Sequence, residues 1–323
     1  MKRSDMAAMP DKGMMNCGFI VVKPTAVNIK LYKIVVEMSY RTRKLNDQQL
    51  LNKVVRGFRR QNKAAMLSKR LFMDGLLYFA RMSRLLPWKN DPCSAVNKTN
   101  CSVFVVHNNW IITKEAKIYR FREHFMWSYD GKDGYYSSQS RNYIMYTNPY
   151  PYNISQHDLR NSQLSSLITA LALGYLLNRT VILPKFYWSL MGRTCPLHSY
   201  LRMIDFDNVF QGKYRESNFL QHAKVPDAVK QDISHQPLTS HATRLSSSSE
   251  QYTIDSKRVV SIFYGRKDKL INFDILAGIK ITFSDNSTKN TFNQKIYRGF
   301  RECDYRQFRA GAFIARKLSA YDQ

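Results

Sequence analysis

A chain of 323 residues with 50 Lys+Arg against 24 Asp+Glu carries a formal net charge of +26, far from the balance of an ordinary soluble enzyme. Hydrophobic residues at 44% and aromatics at 13% supply a packed core and exclude wholesale disorder, and the length allows about two domains. The longest nearly apolar run, Leu164 to Leu177, is broken by Ser165, Ser166 and Thr169 and is too short and polar for a bilayer span, while Met1-Lys2-Arg3-Ser4-Asp5 lacks the apolar stretch of a signal peptide.

The predicted elements alternate between strand and helix from the start. Gly18 to Val22 reads as a short buried strand, stopped by Lys23-Pro24. Thr25 is placed to cap a helix from Ala26 to about Ser39, with Ile29, Leu31, Ile34, Val35 and Met38 facing inward. Asn46 or Asp47 caps a second helix through about Gln61. Asp91-Pro92 marks a loop. Ser102 to His107 is a buried strand that delivers a histidine at its C-terminal end, and a helix from Lys114 to about Met126 follows. Ser128 to Ser140, rich in Gly, Asp, Ser and Tyr, reads as a linker. Beyond it come a strand at Tyr143 to Tyr146, an apolar helix from Asn161 to Leu177 capped by Asn161 or Ser162, and a strand at Thr180 to Leu183 stopped by Pro184. Ser240 to Gln251 is a polar loop, and Val259 to Tyr264 and Ile279 to Phe283 read as two more strands.

The excess charge points to an anionic partner, whether nucleic acid, a membrane surface or a phosphorylated substrate. Its densest patch is Lys53, Arg56, Arg59, Arg60, Lys63, Lys69 and Arg70. Leu50, Leu51, Val54, Val55 and Phe58 form the apolar side of the same helix, so the bases read first as its solvated face. No recognition helix, zinc finger or RNP pattern accompanies the patch, and no nucleic-acid partner is expected. The five cysteines form no CxxC pair, which argues against a structural zinc site. Cys93 and Cys101 flank a polar segment that a disulfide could close, and the odd count leaves one thiol over. Sequons at Asn97, Asn100, Asn153, Asn178 and Asn286 lean towards a secretory lumen, although Asn178, between a predicted helix and strand, is expected to stay bare.

Among catalytic templates, GxGxxG, GxxxxGK, GxSxG and HExxH are all absent. Three constellations remain. Asn16-Cys17-Gly18-Phe19 leads into the first predicted strand, and its glycine lets backbone approach a ligand closely. Asn46-Asp47-Gln48, followed by Asn52, opens the second helix; a carboxylate beside an amide can cap the helix, hold a sugar hydroxyl or act as a base. His107-Asn108-Asn109-Trp110 with Lys114 and Lys117 puts a candidate metal ligand at a strand end and lysines at the next helix start, a setting suited to a diphosphate.

Taken in order, MMNCGFIVVKPT, LNDQQLLNKVVR, LFMDGLLYF and VVHNNWIITKEAKIYRFREHFMW resemble the C-terminal half of a nucleotide-diphospho-sugar transferase domain. The resemblance is to the Golgi family (glycosyltransferase family 77-like) that contains plant arabinosyltransferases of cell-wall glycoproteins and related xylosyl- and galactosyltransferases. It covers about Met14 to Trp127. It implies a partial GT-A, Rossmann-like α/β domain, a UDP-sugar donor, a glycan or glycoprotein acceptor, a divalent cation such as Mn²⁺, and retention at the anomeric carbon. By the same resemblance His107 completes the metal shell, Asn109 and Lys114 close over the diphosphate, Asp47 and Gln48 are catalytic beside the transferred sugar, and Asn16 and Gly18 wall the donor. The family's DxD motif precedes the Asn-Cys-Gly-Phe stretch, whereas the residues before Asn16 hold only the separate Asp5 and Asp11. Asp205-Phe206-Asp207 lies far downstream and reads as a loop or helix start. The expectation is a domain entered in its middle, with activity in doubt and any membrane anchor confined to a longer, Golgi-resident form.

Further on, HDLRNSQLSSLITALALGYLLNRTVILPKF is similar to the helix–strand unit of O-fucosyltransferase-like domains, with Asp158-Leu-Arg-Asn161 in place of a glycine-rich start. The expected organisation is therefore a transferase segment at 1–128, a linker at 129–140 and a second α/β domain at 141–323. The rival reading from another class is a non-catalytic module that binds glycans or polyanions through the Lys53–Arg70 face.

Overall fold

The computed structural model describes residues 4–11, 13–42, 44–58, 63–69, 71–75, 78–79, 103–127, 129–131, 134–148, 155–187, 194–245 and 251–301. Arg59, Arg60, Arg70, Cys93, Cys101, Asp91-Pro92 and the sequons at Asn97, Asn100 and Asn153 lie outside these. The chain divides into two compact units, Met1–Ile111 and Ile112–Tyr321. The helix that opens at Lys114 thus counts with the second unit, upstream of the linker expected at 129–140.

The first unit is built on strand β1 (Met6–Asp11), strand β2 (Met14–Val22), helices α1 (Ala26–Arg41) and α2 (Asp47–Gly57), and strands β3 (Ala64–Met66), β4 (Phe72–Asp74) and β5 (Val105–His107). β1, which the sequence reading missed, is the centre of a three-stranded sheet, antiparallel to β2 and parallel to β3. Met6 to Met9 are all buried, so this strand alternates no polar residues and its Met and Ala give little strand signal. Met6, Ala8, Met15, Leu31, Leu51, Val54 and Val55 make the core beneath α1 and α2. Thr25 caps α1 as expected, its side chain accepting from the Asn28 N–H. α2 ends at Gly57, short of the expected Gln61, with the Phe58 N–H closing on Val54 and Val55 carbonyls. Lys53 and Arg56 are exposed while Leu50, Leu51, Val54 and Val55 are buried, as an amphipathic helix requires.

The second unit begins with helix α3 (Lys114–Glu123) and strand β6 (Tyr143–Thr147), followed by helix α4 (Gln156–Leu176) and strands β7 (Thr180–Ile182), β8 (Phe186–Tyr187) and β9 (Thr194–Cys195). Next come helix α5 (Met203–Phe210), strand β10 (Tyr214–Arg215), helix α6 (Asp227–Gln231), and strands β11 (Ile233–His235), β12 (Thr243–Arg244) and β13 (Tyr252–Asp255). Helix α7 (Ser256–Phe263), strands β14 (Leu270–Ile275) and β15 (Ile279–Thr282), and helix α8 (Asn286–Gly299) complete it. Its main sheet is parallel, in the order β10-β7-β6-β14-β11. A smaller sheet, β12-β13-β15, is tied to α4 by the Thr169 hydroxyl donating to the Ile279 carbonyl at 2.7 Å.

Three expectations change here. α4 starts at Gln156, not Asn161, because Ser155 accepts from the Asp158 N–H and caps it there. It ends where Asn178 takes φ 50°, a left-handed stop that asparagine tolerates. Residues 256–263 form a helix instead of the strand expected at Val259–Tyr264: Asp255 accepts from the Lys257 N–H as N-cap, and the buried Val259 and Phe263 stand one turn apart. Within 129–140, Tyr135 and Tyr136 are buried beside Tyr143, Phe219 and Leu270 in the core. The aspartates at 205 and 207 lie on α5 and serve it, Asp205 pairing with Arg202 and Asp207 accepting from the Tyr214 hydroxyl.

Candidate functional site

In the first unit the site grows from an irregularity of the β1–β2 hairpin. Ala8 pairs with Ile20 but the next residue, Met9, pairs with Asn16, so Cys17, Gly18 and Phe19 bulge out of the ladder. Asn16, only 2% exposed, holds the bulge by accepting the Gly18 N–H through Oδ1 at 2.7 Å. β2 is an edge strand, and edge strands carry unpaired backbone groups. Here α2 supplies their partners. Asn52 Oδ1 accepts the Met15 N–H at 2.9 Å, and its Nδ2 donates to the Met15 carbonyl at 2.8 Å and to the Gln48 carbonyl at 2.8 Å. One turn earlier Gln48 Oε1 accepts the Cys17 N–H at 3.3 Å while its Nε2 donates to Asp11 Oδ2 at 3.1 Å.

The cap of α2 is Asn46, in a reciprocal box with Gln49, which leaves Asp47 exposed in the first turn. Asp47 accepts the Gln48 N–H through Oδ1. It also lies close enough to the Cys17 thiol to add to the effect of burial there, and together they push that thiol up to about 11. Cys17 is accordingly a poor nucleophile at neutral pH.

His107 arrives from the other side. β4 and β5 are parallel, and their last rung sets Asp74 beside His107. The imidazole rests on the bare α-carbon of Gly18: a Cβ at that glycine would sit 2.1 Å from Cε1 and 2.3 Å from Nε2. Gly75 is similarly forced, since its Cβ would meet the backbone oxygen of Asn109 at 2.6 Å. The Asn109 side chain accepts the Gly75 N–H at 2.7 Å and so fixes the turn that follows His107. Trp110 and Thr113 both hold positive φ (59° and 75°), in a tight strand-to-helix connection. Thr113 nonetheless caps α3, accepting the Ala116 N–H.

Five of the expected residues, Asn16, Gly18, Asp47, Gln48 and His107, are thus brought to one place in the first unit by bonds or contacts. Asn109 stands two residues past His107 and is engaged with Gly75. Lys114 is exposed at the first position of α3, in the second unit. Reading the sequence missed Asp11 and Asp74. The first sits on the unpredicted strand; the second was visible only as the Asp-Gly turn signal inside LFMDGLLYF. Among the described residues no three His, Cys, Asp or Glu side chains converge as a metal site. The arrangement offers an imidazole, three carboxylates and paired amides around a bulged backbone, a set suited to binding an oxygen-rich ligand.

The family model of nucleotide-diphospho-sugar transferases matches residues 2–121 of this chain, a span that takes in every one of these residues. No curated protein and no solved structure matches. The family match supports a glycosyltransferase-type function using a nucleotide-sugar donor and an acceptor, and the mixed α/β fold with parallel sheets is consistent with a Rossmann-like domain of that kind.

Proposed function

We propose that this chain is a glycosyltransferase that moves a sugar from a UDP-sugar to a glycan or glycoprotein, with a divalent cation and with retention at the anomeric carbon, in the Golgi lumen. The observation that carries the reading is the apposition of His107 to Gly18, inside the span that matches the transferase family.

Mn²⁺ fits the chemistry of this corner in part. His107, with Asp74 on the same rung, offers one borderline nitrogen and one hard oxygen, and the remaining ligands would come from the diphosphate. A bound cation would act as a Lewis acid towards the leaving diphosphate. The chain's own residues do the rest. Asn16 and Gln48 hold the bulge so that the Gly18 backbone stays open towards the sugar, and Asp47 is the exposed carboxylate that takes the proton of an acceptor hydroxyl. The exposed asparagine of the sequon at 286 accords with a lumenal setting. For the second unit, the O-fucosyltransferase-like reading is kept as part of this proposal. It is supported by the helix–strand succession α4–β7, whose strand pairs inside a five-stranded parallel sheet, and no catalytic residue is assigned there.

The test is UDP and Mn²⁺ binding by calorimetry together with UDP-sugar hydrolysis. The expected result is Mn²⁺-dependent turnover and a loss of at least tenfold in Mn²⁺ and UDP affinity in His107→Ala. Unchanged affinity for both in that variant overturns the assignment.

A further inference from the structure

Asp11 is a carboxylate that the expected site did not include. It ends β1 at the mouth of the hairpin, and the chain turns away through Gly13, whose φ of 81° only glycine adopts freely. Its two oxygens are treated differently. Oδ2 accepts from Gln48 Nε2 at 3.1 Å. Oδ1 is buried and has no hydrogen-bond partner. A buried carboxylate oxygen with no donor is costly, and this one sits in a network that already fixes its orientation. Gln48 cannot turn to relieve it, because its Oε1 is committed to the Cys17 N–H. The amide's other hydrogen is unused in that network, so an acceptor and a donor stand side by side next to the bulge at Cys17–Phe19.

We propose that Asp11 Oδ1 accepts a hydrogen bond from a hydroxyl of the sugar moiety of the donor, with Gln48 Nε2 donating to that hydroxyl or its neighbour. The inference rests on the nucleotide-sugar reading above and deepens it. It makes the Asp11–Gln48 pair the element that senses the sugar, as distinct from the nucleotide. A hydroxyl fits the place because it donates and accepts at one atom, matching the paired carboxylate and amide. A cation would find only one carboxylate there, and its amide neighbour turns a donor towards it.

The experiment compares UDP with UDP-glucose and UDP-galactose by calorimetry on the full chain, with Asp11→Asn and Asp11→Ala as variants. In the wild type at least one sugar nucleotide binds more tightly than UDP. In Asp11→Asn this sugar increment falls about tenfold or more, as for loss of a hydrogen bond to a charged group, while UDP affinity stays within twofold and so reports an intact fold. Asp11→Ala gives the same pattern. Equal losses for UDP and UDP-sugar, a sugar increment absent in the wild type, or a loss of Mn²⁺ affinity with the increment preserved each overturn the inference and leave the wider reading standing. If the wild type binds neither UDP nor UDP-sugar, the wider reading itself is overturned, and the inference with it.

Discussion

The two units handle polar groups in opposite ways. In the first, small uncharged amides (Asn16, Gln48, Asn52) are spent on backbone at a sheet edge, and the ionisable groups Asp47 and His107 stay partly open to solvent. In the second, charge is sealed inside. Arg215 is fully buried, its Nε donating to the Tyr135 carbonyl and its Nη1 to the Tyr214 carbonyl. Glu216, 1% exposed, takes the Tyr135 hydroxyl on both oxygens and faces Arg122 at 3.8 Å. Both guanidiniums lie over the Tyr135 ring, at 3.7 and 4.0 Å. An arrangement whose groups answer one another consolidates a core; one that leaves reactive groups open is available to a ligand. The contrast argues that the buried charges of the second unit are structural.

Breaking the sealed cluster should give the largest effect. Glu216→Gln removes the carboxylate that faces Arg122 and closes on Tyr135, and should cost about 3–5 kcal/mol, read as a lowered denaturant midpoint. A loss under 1 kcal/mol would mean the arginines are satisfied without it. Next, Asn52→Ala strips partners from the buried N–H and C=O of Met15 and should cost about 2 kcal/mol. Gly18→Ala should destabilise by only about 1 kcal/mol, since a ring can turn away from the new methyl, yet it should weaken Mn²⁺ and UDP binding tenfold by moving His107. Full binding in a folded Gly18→Ala protein would break the link between that contact and function.

A further test is a pH slope in the second unit. Burial, helped by the Glu216 carboxylate, lifts Glu123 to about 8 against an ordinary 4.5. Burial and Arg120 drop His124 to about 4 from 6.5. Between about 4 and 6.5 the unfolded chain holds more protons at His124, so stability rises with pH; between 4.5 and 8 the folded chain holds more at Glu123, so stability falls. The two oppose each other up to pH 6.5, and above it only the decline remains, ending near pH 8. Glu123→Gln should flatten the decline from 6.5 to 8 in unfolding midpoints, and an unaltered slope would show that Glu123 is not its source.

What could be read from the sequence followed local signals. Thr25 at its cap, the amphipathic face of α2 and the strand running into His107 need only neighbours in the chain, and all three are found, the last confined to Val105–His107 and part-exposed where a buried strand from Ser102 was expected. β1 failed because a strand buried at the centre of a sheet shows no alternation, and with it went Asp11. The 256–263 helix was misread because Val259, Val260 and Ile262 favour strand, while the Asp255 cap and the one-turn spacing of Val259 and Phe263 decide for helix. Tyr135 and Tyr136 looked like linker residues because their stretch is rich in glycine and serine, and only the distant Phe219 and Leu270 draw them inside. At the candidate site the residue types were legible, but the bulge that gathers them depends on a strand pairing that no short window contains.

The contact between Gly18 and His107 also has an evolutionary side. Two positions 89 apart in the chain share a single volume, so neither can gain bulk unless the other gives it up. In relatives that keep the histidine in this orientation, position 18 should stay glycine. Where the histidine has become a smaller residue, position 18 should be released to drift. A lineage that has lost the imidazole should therefore betray itself twice, at the two ends of one steric exclusion.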